Sequence, residues 1–325
     1  MADYPTIRGL RVKYLSADPS TATEGEVWYN STSGTLKATV LSTAAWASGG
    51  AVTTARYGSA AAGTQTAGLI AGGSLVVNNS EEYNGTGWTE GSNLNTARMY
   101  VMGSGTQTSA LASCGDQYPS PRFSDLTEEY NGASWSVQNT APVATKDGGS
   151  CGTQGATLIF GGQASPGDTN ATHLYDGTNW TNTGNNLNTA RKSLRGAGTS
   201  TAALAVGGPP STSTATEEYN GSSWTSVTAS PSAFGAQSSA GTQTAALMFA
   251  GFTAPGGAST TTRSYDGTNW ASAPNLGTGR YFANLGPLGT AGAALLASGN
   301  LGPSVTPATE EFSGAVAETQ TLTTS

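Results

Sequence analysis

Glu81-Glu82-Tyr83-Asn84-Gly85-Thr86-Gly87-Trp88 is the stretch on which the fold turns, because it returns along the chain. Versions of it run from Glu128 to Trp135, His173 to Trp180, Glu217 to Trp224 and Arg263 to Trp270, and a truncated copy, Glu310-Glu311-Phe312-Ser313-Gly314, ends the series. With Trp46 in front, tryptophans stand at 46, 88, 135, 180, 224 and 270, in steps of 42, 47, 45, 44 and 46 residues. A period in the forties with strand-like content marks a propeller or a related repeat array. The Asn-Gly or Asp-Gly inside the block is a strong hairpin signal.

Outward from the block, each repeat has the same layout. After the Trp comes a polar loop, then a small-residue strand such as Arg56 to Gly63, a Gly-Thr-Gln-Thr turn, and an apolar strand ending in Gly-Gly, as in Thr66 to Gly73. Comparable apolar strands are Thr157 to Gly162, Thr201 to Gly208, Thr244 to Gly251 and Gly292 to Gly299. Together with the Glu-Glu-Tyr strand and the Trp strand this makes four antiparallel strands, the unit of a propeller blade. The expected fold is all-β, a six-bladed propeller over residues 41–325 preceded by an N-terminal arm over residues 1–40. The last repeat has Ala317 where its Trp is due, and Trp46 has no complete repeat before it. The segment around Trp46 is therefore expected to supply the outer strand of the last blade. Ala317 to Leu322 competes for the same place, and the ring is expected to be closed by strands from both termini.

Composition narrows the function. Charged residues are 10% of the 325 and the formal net charge is −7, which disfavours a nucleic-acid backbone as partner. No stretch approaches the 18 apolar residues of a membrane span, and the start of the chain lacks the apolar core of a signal peptide. Cys114 and Cys151 fall at different places in adjacent repeats and read as buried small hydrophobes. The single histidine, His173, excludes a multi-His metal centre and a Ser-His-Asp set elsewhere, and it replaces a Glu of the repeat. The carboxylates recur too regularly for a lone acid–base pair. No enzyme activity, metal or cofactor is expected.

One covariation stands out. The repeats with Arg56, Arg98, Arg191 and Arg280 before the Gly-Thr turn also carry the acidic doublets beginning at Glu81, Glu128, Glu217 and Glu310. The other two lose both: Lys146 goes with His173-Leu174, and Phe234 with Arg263-Ser264. This predicts an ion pair within each of four blades, between the Arg and one Glu.

Strand order puts the uniform turns on one face and the variable connections on the other, the usual binding side of a repeat array. The richest variable loop is Tyr118-Pro119-Ser120-Pro121-Arg122-Phe123, so Tyr118, Arg122 and Phe123 are candidate ligand contacts, with Phe252 beside Pro255 as a second candidate.

The Gly-Gly doublet, the Tyr that follows and the Trp five residues later, as in Gly161-Gly162, Tyr175 and Trp180, resemble the kelch repeat over roughly residues 46 to 314. The segment Gly25 to Lys37, with its Val27-Trp28-Tyr29-Asn30 strand, resembles a hairpin of tailed-bacteriophage structural proteins, and the whole chain resembles kelch-type virion proteins of marine phages. That resemblance implies a virion protein assembled in the host cytoplasm and released by lysis. Its partners would be other virion proteins and a host-surface glycan or protein, with no nucleic acid and no membrane insertion. Trp28, Tyr29 and Lys37 would dock the arm on the particle. Three roles follow: an adhesin at a tail fibre or tail tip, a structural or decoration protein of head or tail, and a kelch-type protein-interaction module.

Overall fold

The computed structural model describes residues 12–209, 213–253 and 257–322. The chain divides into two units, Trp46–Ser313 on one hand and Met1–Ala45 with Gly314–Ser325 on the other.

The larger unit holds six four-stranded antiparallel sheets in chain order. The first blade is typical: Ala60–Thr64 innermost, then Ala67–Ala71, Ser80–Tyr83 and, outermost, Trp88–Glu90. The inner strands of the following blades are Met102–Thr106, Gly149–Thr153, Arg195–Gly198, Ser238–Thr242 and the short Gly289–Thr290. Each inner strand packs beside the next, and the sixth returns to the first, so the ring closes. The Gly of every Gly-Thr turn has a physical reason. A Cβ added at Gly63, Gly105, Gly152, Gly198, Gly241 or Gly289 would stand 2.1–2.2 Å from a carbonyl of the facing strand. The second Gly of each doublet also has positive φ, and the tightest is Gly208, where a Cβ would meet the Lys192 carbonyl at 2.4 Å, with φ +96°. The first Gly is more tolerant and is replaced by Cys114, Ala250 and Ser298, all in the left-handed region.

The repeating block resolves into three separate bonds. Its Tyr and Trp pack ring on ring, with centroids 4.9 Å apart for Tyr83–Trp88 and 5.0 Å for Tyr130–Trp135. The Trp indole donates to a threonine hydroxyl of the preceding blade: Trp180 to Thr127 at 2.9 Å, Trp224 to Thr172 at 3.0 Å, Trp88 to Thr309 at 2.9 Å. The Tyr hydroxyl donates to the second Glu of the preceding blade, as in Tyr175 to Glu129 at 3.0 Å and Tyr265 to Glu218 at 2.9 Å, and likewise in Tyr130 to Glu82 and Tyr83 to Glu311. Where a blade lacks that Glu the next Tyr changes behaviour. After Leu174, Tyr219 turns its hydroxyl to its own hairpin at Gly221, and after Ser264 the hydroxyl is absent because the residue is Phe312. Burial and the facing carboxylates push the phenols of Tyr83 and Tyr130 up to about 12.

Trp46 occupies the tryptophan place of the sixth blade. Ala45–Gly49 is that blade's outermost strand, beside Thr309–Ser313. The Trp46 ring lies 5.3 Å from Phe312, and its indole donates to Thr262 of the fifth blade at 3.1 Å, repeating the bond of Trp88, Trp180 and Trp224. Trp270 instead donates to the Thr228 carbonyl at 3.0 Å, and the Trp135 indole has no partner among the described residues. The C-terminal strand Ala317–Thr321 does not share this role. It pairs with Thr35–Leu41, so closure by both termini is corrected to closure by the N-terminal strand alone, and the boundary expected at residue 40 falls at Ala45. Ala317–Thr321 is exposed along its whole length, so it has no apolar face to lay against a blade.

The inner strand of the sixth blade is cut short because its chain fills the channel instead. The Gly103 amide donates to the Leu285 carbonyl at 2.6 Å, and a Cβ on Gly286 would stand 2.2 Å from the Ala61 carbonyl and 2.4 Å from that of Gly103. The backbone of Leu285-Gly286 thus plugs the ring between the first and second blades.

The smaller unit is a four-stranded sheet in the order Lys13–Leu15, Val27–Asn30, Thr35–Leu41, Ala317–Thr321. One face is organised by Asp18, which accepts from the Trp28 indole at 3.0 Å, the Asn30 amide at 2.7 Å and the Lys37 ammonium at 2.6 Å. The Lys37 bond first, then the other two, holds the Asp18 carboxyl down at about 2.

Candidate functional site

The face that carries the variable connections is built on buried charge. The four expected Arg–Glu pairs form, all with side chains at most 9% exposed: Arg56–Glu81, Arg98–Glu128 at 2.9 Å, Arg191–Glu217 and Arg280–Glu310. Each carboxylate also accepts backbone amides from the loop that carries the Arg, as when Glu128 takes the Asn95 amide at 2.6 Å and Glu310 that of Gly277 at 2.7 Å. In three of the four the guanidinium spends further donors on carbonyls at or beside the second and third strands: Arg56 on Asn79 at 2.6 Å, Arg98 on Cys114 at 2.8 Å and Leu126 at 2.7 Å, Arg280 on Ala308 at 2.6 Å. Among the described residues, Arg191 bonds Glu217 alone. One side chain therefore fixes a variable loop to two strands. Burial pulls the Arg56, Arg98 and Arg280 guanidiniums below their usual range, while the partner Glu opposes the shift. These eight residues are scaffold.

The two blades without the pair find other solutions. In the fifth, Phe234 is buried and Arg263 reaches Ser232 at 2.7 and 2.9 Å. In the third, Lys146 turns to Asp116 of the preceding blade at 2.6 Å. His173 is left 3% exposed, and neither ring nitrogen has a hydrogen-bond partner. Desolvation drives its pKa below the ordinary value. A histidine neutral in the fold but protonated in the unfolded chain loses stability as pH falls below the unfolded pKa of about 6.5, until the folded pKa is reached. The slope is up to about 1.4 kcal/mol per pH unit. His173→Leu is expected to abolish that component; denaturant midpoints at pH 7.5 and pH 5.5 that shift equally in both proteins would refute it.

Immediately before each inner strand lies a feature that the sequence reading missed. Gly58, Tyr100, Asp147, Ser193, Ala236 and Phe282 occupy equivalent places, one per blade, all with φ between 52° and 72°. Their backbones hydrogen-bond in a circle. Asp147 N donates to Tyr100 O at 3.2 Å, Ser193 to Asp147, Ala236 to Ser193 and Phe282 to Ala236 each at 2.8 Å, and Gly58 to Phe282. Val101 N donates back to Gly58 O at 3.3 Å and completes the circle. This girdle surrounds the channel mouth on the variable face. The only signal for it was the constant distance of five residues to the Gly-Thr glycine, stretched to seven at Phe282 by the plug.

Aromatic side chains collect on one side of the mouth. Phe252 stacks edge-on against Tyr281 at 5.6 Å, Tyr281 against Phe282 at 5.6 Å, and Phe282 against Tyr100 at 5.1 Å, with Tyr57 6.1 Å from Tyr100. Burial, with the neighbouring Tyr57 and Asp147, pushes the Tyr100 phenol upward. The other side is charged. Asp147 accepts from Arg195 at 3.2 Å and from the Ser193 hydroxyl, and burial raises its carboxyl.

The expected contact residues fall into two separate places. Tyr118, Arg122 and Phe123 cluster in the long loop of the second blade around the buried Asp116. Arg122 stacks over the Tyr118 ring at 5.2 Å and contacts Asp116 at 3.3 Å, while Lys146 covers Phe123 at 4.9 Å. Tyr118 is 56% exposed. Phe252 belongs to the aromatic group, and Pro255 lies outside the described residues. Among the docking candidates, Trp28 is fully buried and Lys37 is paired with Asp18, so neither presents a free contact; this corrects their expected role. Tyr29 stacks on Tyr14 at 5.2 Å. Among the described residues, no group of three His, Cys, Asp or Glu side chains is placed to share a cation.

Comparison with known proteins bears on the fold alone. No family model matches the chain, and no curated protein matches it. Among solved structures, one described as the structure of YjhT superposes with a TM-score of 0.69 at 12% identity, covering 82% of this chain and 99% of that one. The chain has a kelch-like β-propeller fold.

Proposed function

From that kelch-like scaffold we propose a non-enzymatic recognition protein that binds a surface ligand through the variable-loop face. One observation carries this reading: the two faces differ in what their side chains are free to do. On the uniform face the turn residues are consumed by the scaffold. Asn131 caps its own turn at 2.9 and 3.0 Å, and Gln107 clips the carbonyls of Gly68 and Tyr83 in the preceding blade at 3.0 and 2.7 Å. On the variable face Tyr118, Arg122 and Phe252 remain exposed above a rigid base. Exposed aromatics and Arg on loops held by a stiff scaffold are the usual make-up of binding hot spots.

The same reading assigns the protein to a virion, as an attachment component at a tail fibre or tail tip, with the smaller unit as the docking element. Its sheet supports this. Tyr14, Tyr29 and Leu36 are aligned across three strands, and Leu322, hydrogen-bonded to Leu36 at 2.8 Å, extends the row. Tyr14 is 75% and Leu322 44% exposed, an apolar row of the kind that marks interaction surfaces. That row also favours the second reading, a decoration protein contacting other virion subunits.

The test uses particles carrying altered chains. Tyr118→Ala with Arg122→Ala is expected to slow host adsorption about tenfold or more while incorporation into the particle is unchanged. Tyr14→Ser with Leu36→Ser is expected to reduce incorporation. Normal adsorption of the first variant, together with normal adsorption of a Phe252→Ser variant, counts against recognition by this face.

A further inference from the structure

We propose that the channel mouth is a binding site for a neutral saccharide chain, with Tyr57, Tyr100, Tyr281, Phe282 and Phe252 as its platform. The proposal rests on the recognition reading above and names the ligand class of the same face.

Left-handed backbone is unfavourable for residues with a Cβ, by roughly 1–2 kcal/mol each, and such positions persist where function uses them. The girdle itself needs no aromatic side chain: Gly58, Ser193 and Ala236 make the same backbone bonds at equivalent places. Yet Tyr100 at φ 55° and Phe282 at φ 52° are large aromatics, in adjacent contact, both only partly buried. Glycine would relieve the backbone at both, as it does at Gly58, so the two rings are kept at a conformational cost.

Among the described residues, the cations named on this face are already engaged: Lys146 and Arg122 share Asp116, Arg195 holds Asp147, Lys192 lies 3.5 Å from Asp168, and Arg263 is bonded to Ser232. The whole chain carries −7. Among the described residues, no cation is stacked over a ring of the platform, so an anionic ligand lying on it would meet no charge partner there. What remains is ring faces for stacking and tyrosine hydroxyls for hydrogen bonds, the complement of a sugar, which has apolar C–H faces and many neutral hydroxyls. Leu285-Gly286 closes the channel below, and the rings run stepwise from the exposed Phe252 to the mouth, so a chain lying across the face fits better than a small molecule entering a tunnel.

The experiment applies the full-length protein to an array of neutral and acidic tetra- to hexasaccharides. Retention by neutral chains is expected. Tyr100→Gly with Phe282→Gly should weaken that retention by about tenfold or more, with the fold retained by far-ultraviolet circular dichroism. Phe252→Ser, at an exposed position, should weaken it without affecting folding. Absence of any neutral saccharide on the array, or undiminished binding by Phe252→Ser and the double glycine variant, overturns the proposal. Treatment of host cells separates it from the broader reading: loss of protein binding after periodate supports the saccharide. Loss after proteinase but not periodate leaves recognition by this face standing and rejects the sugar as its ligand.

Discussion

Arg98→Met is expected to destabilise the propeller by about 3–5 kcal/mol, because it strands a buried charge rather than removing a contact. Glu128 is 1% exposed at its side chain, and it would keep two backbone amides and the Asn95 side chain but lose its only cation. The Cys114 and Leu126 carbonyls would lose their donor at the same time. Removing Glu128 alone, as Glu128→Leu, should be damaging in the same way, with the guanidinium now uncompensated. The double variant should be less destabilised than the sum of the singles, since neither charge remains, and that positive coupling is the signature of the pair. The third and fifth blades show that a blade can be built without it, but only with other residues filling the place: His173 with Lys146 redirected, and Phe234 with Arg263. Urea or guanidinium midpoints at constant slope measure the effect. A single-variant loss below about 1 kcal/mol would mean that the pair behaves like a solvent-exposed one.

That pair was legible in the sequence because its two members vary together at fixed places within one repeat. The blade pattern was legible for the same reason: the side chains that specify it, the Tyr, the Trp and the glycines, recur at a constant offset. The second Glu was harder. Its partner sits in the next blade, and the pairing shows only in the exceptions, where Leu174 precedes a Tyr219 that bonds elsewhere and Ser264 precedes Phe312. The girdle left no signal but its constant spacing from the Gly-Thr glycine, since it is made by backbone groups while its side chains run through Gly, Tyr, Asp, Ser, Ala and Phe. A device whose side chains are free to differ leaves no residue pattern, and that same freedom is what lets the mouth acquire binding chemistry. The contact loop around Tyr118 was found as a cluster of suitable residue types, but Asp116, which organises it, gave no signal because its two cations come from Arg122 and from another blade. The C-terminal strand misled for a simple reason: Ala317–Thr321 is polar on both faces, and a strand with no apolar side carries no information about which sheet it joins.

Gly286→Ala is expected to cost at or above the upper end of the roughly 1–3 kcal/mol typical of overpacking, although it adds a single methyl group. The new Cβ would stand 2.2 Å from the Ala61 carbonyl and 2.4 Å from the Gly103 carbonyl, backbone atoms of two different blades, so no rotamer change can make room. Either the plug backs out of the channel or the first and second blades move apart. Both routes break the Gly103–Leu285 hydrogen bond of 2.6 Å and disturb Ser150, whose hydroxyl bonds Gly103 O at 2.8 Å. The matched control is Gly292→Ala, where a Cβ meets nothing within 4 Å and the change should stay within about 0.5 kcal/mol. Because the plug leads directly out of the girdle at Phe282, its displacement should also reach the mouth. Near-ultraviolet circular dichroism reports the packing of Tyr100 and Phe282, and it should change in Gly286→Ala and not in Gly292→Ala. Equal stability and equal spectra for the two variants would show that the ring yields at its centre, and a platform resting on a yielding base would lose the rigidity on which its use as a binding surface depends.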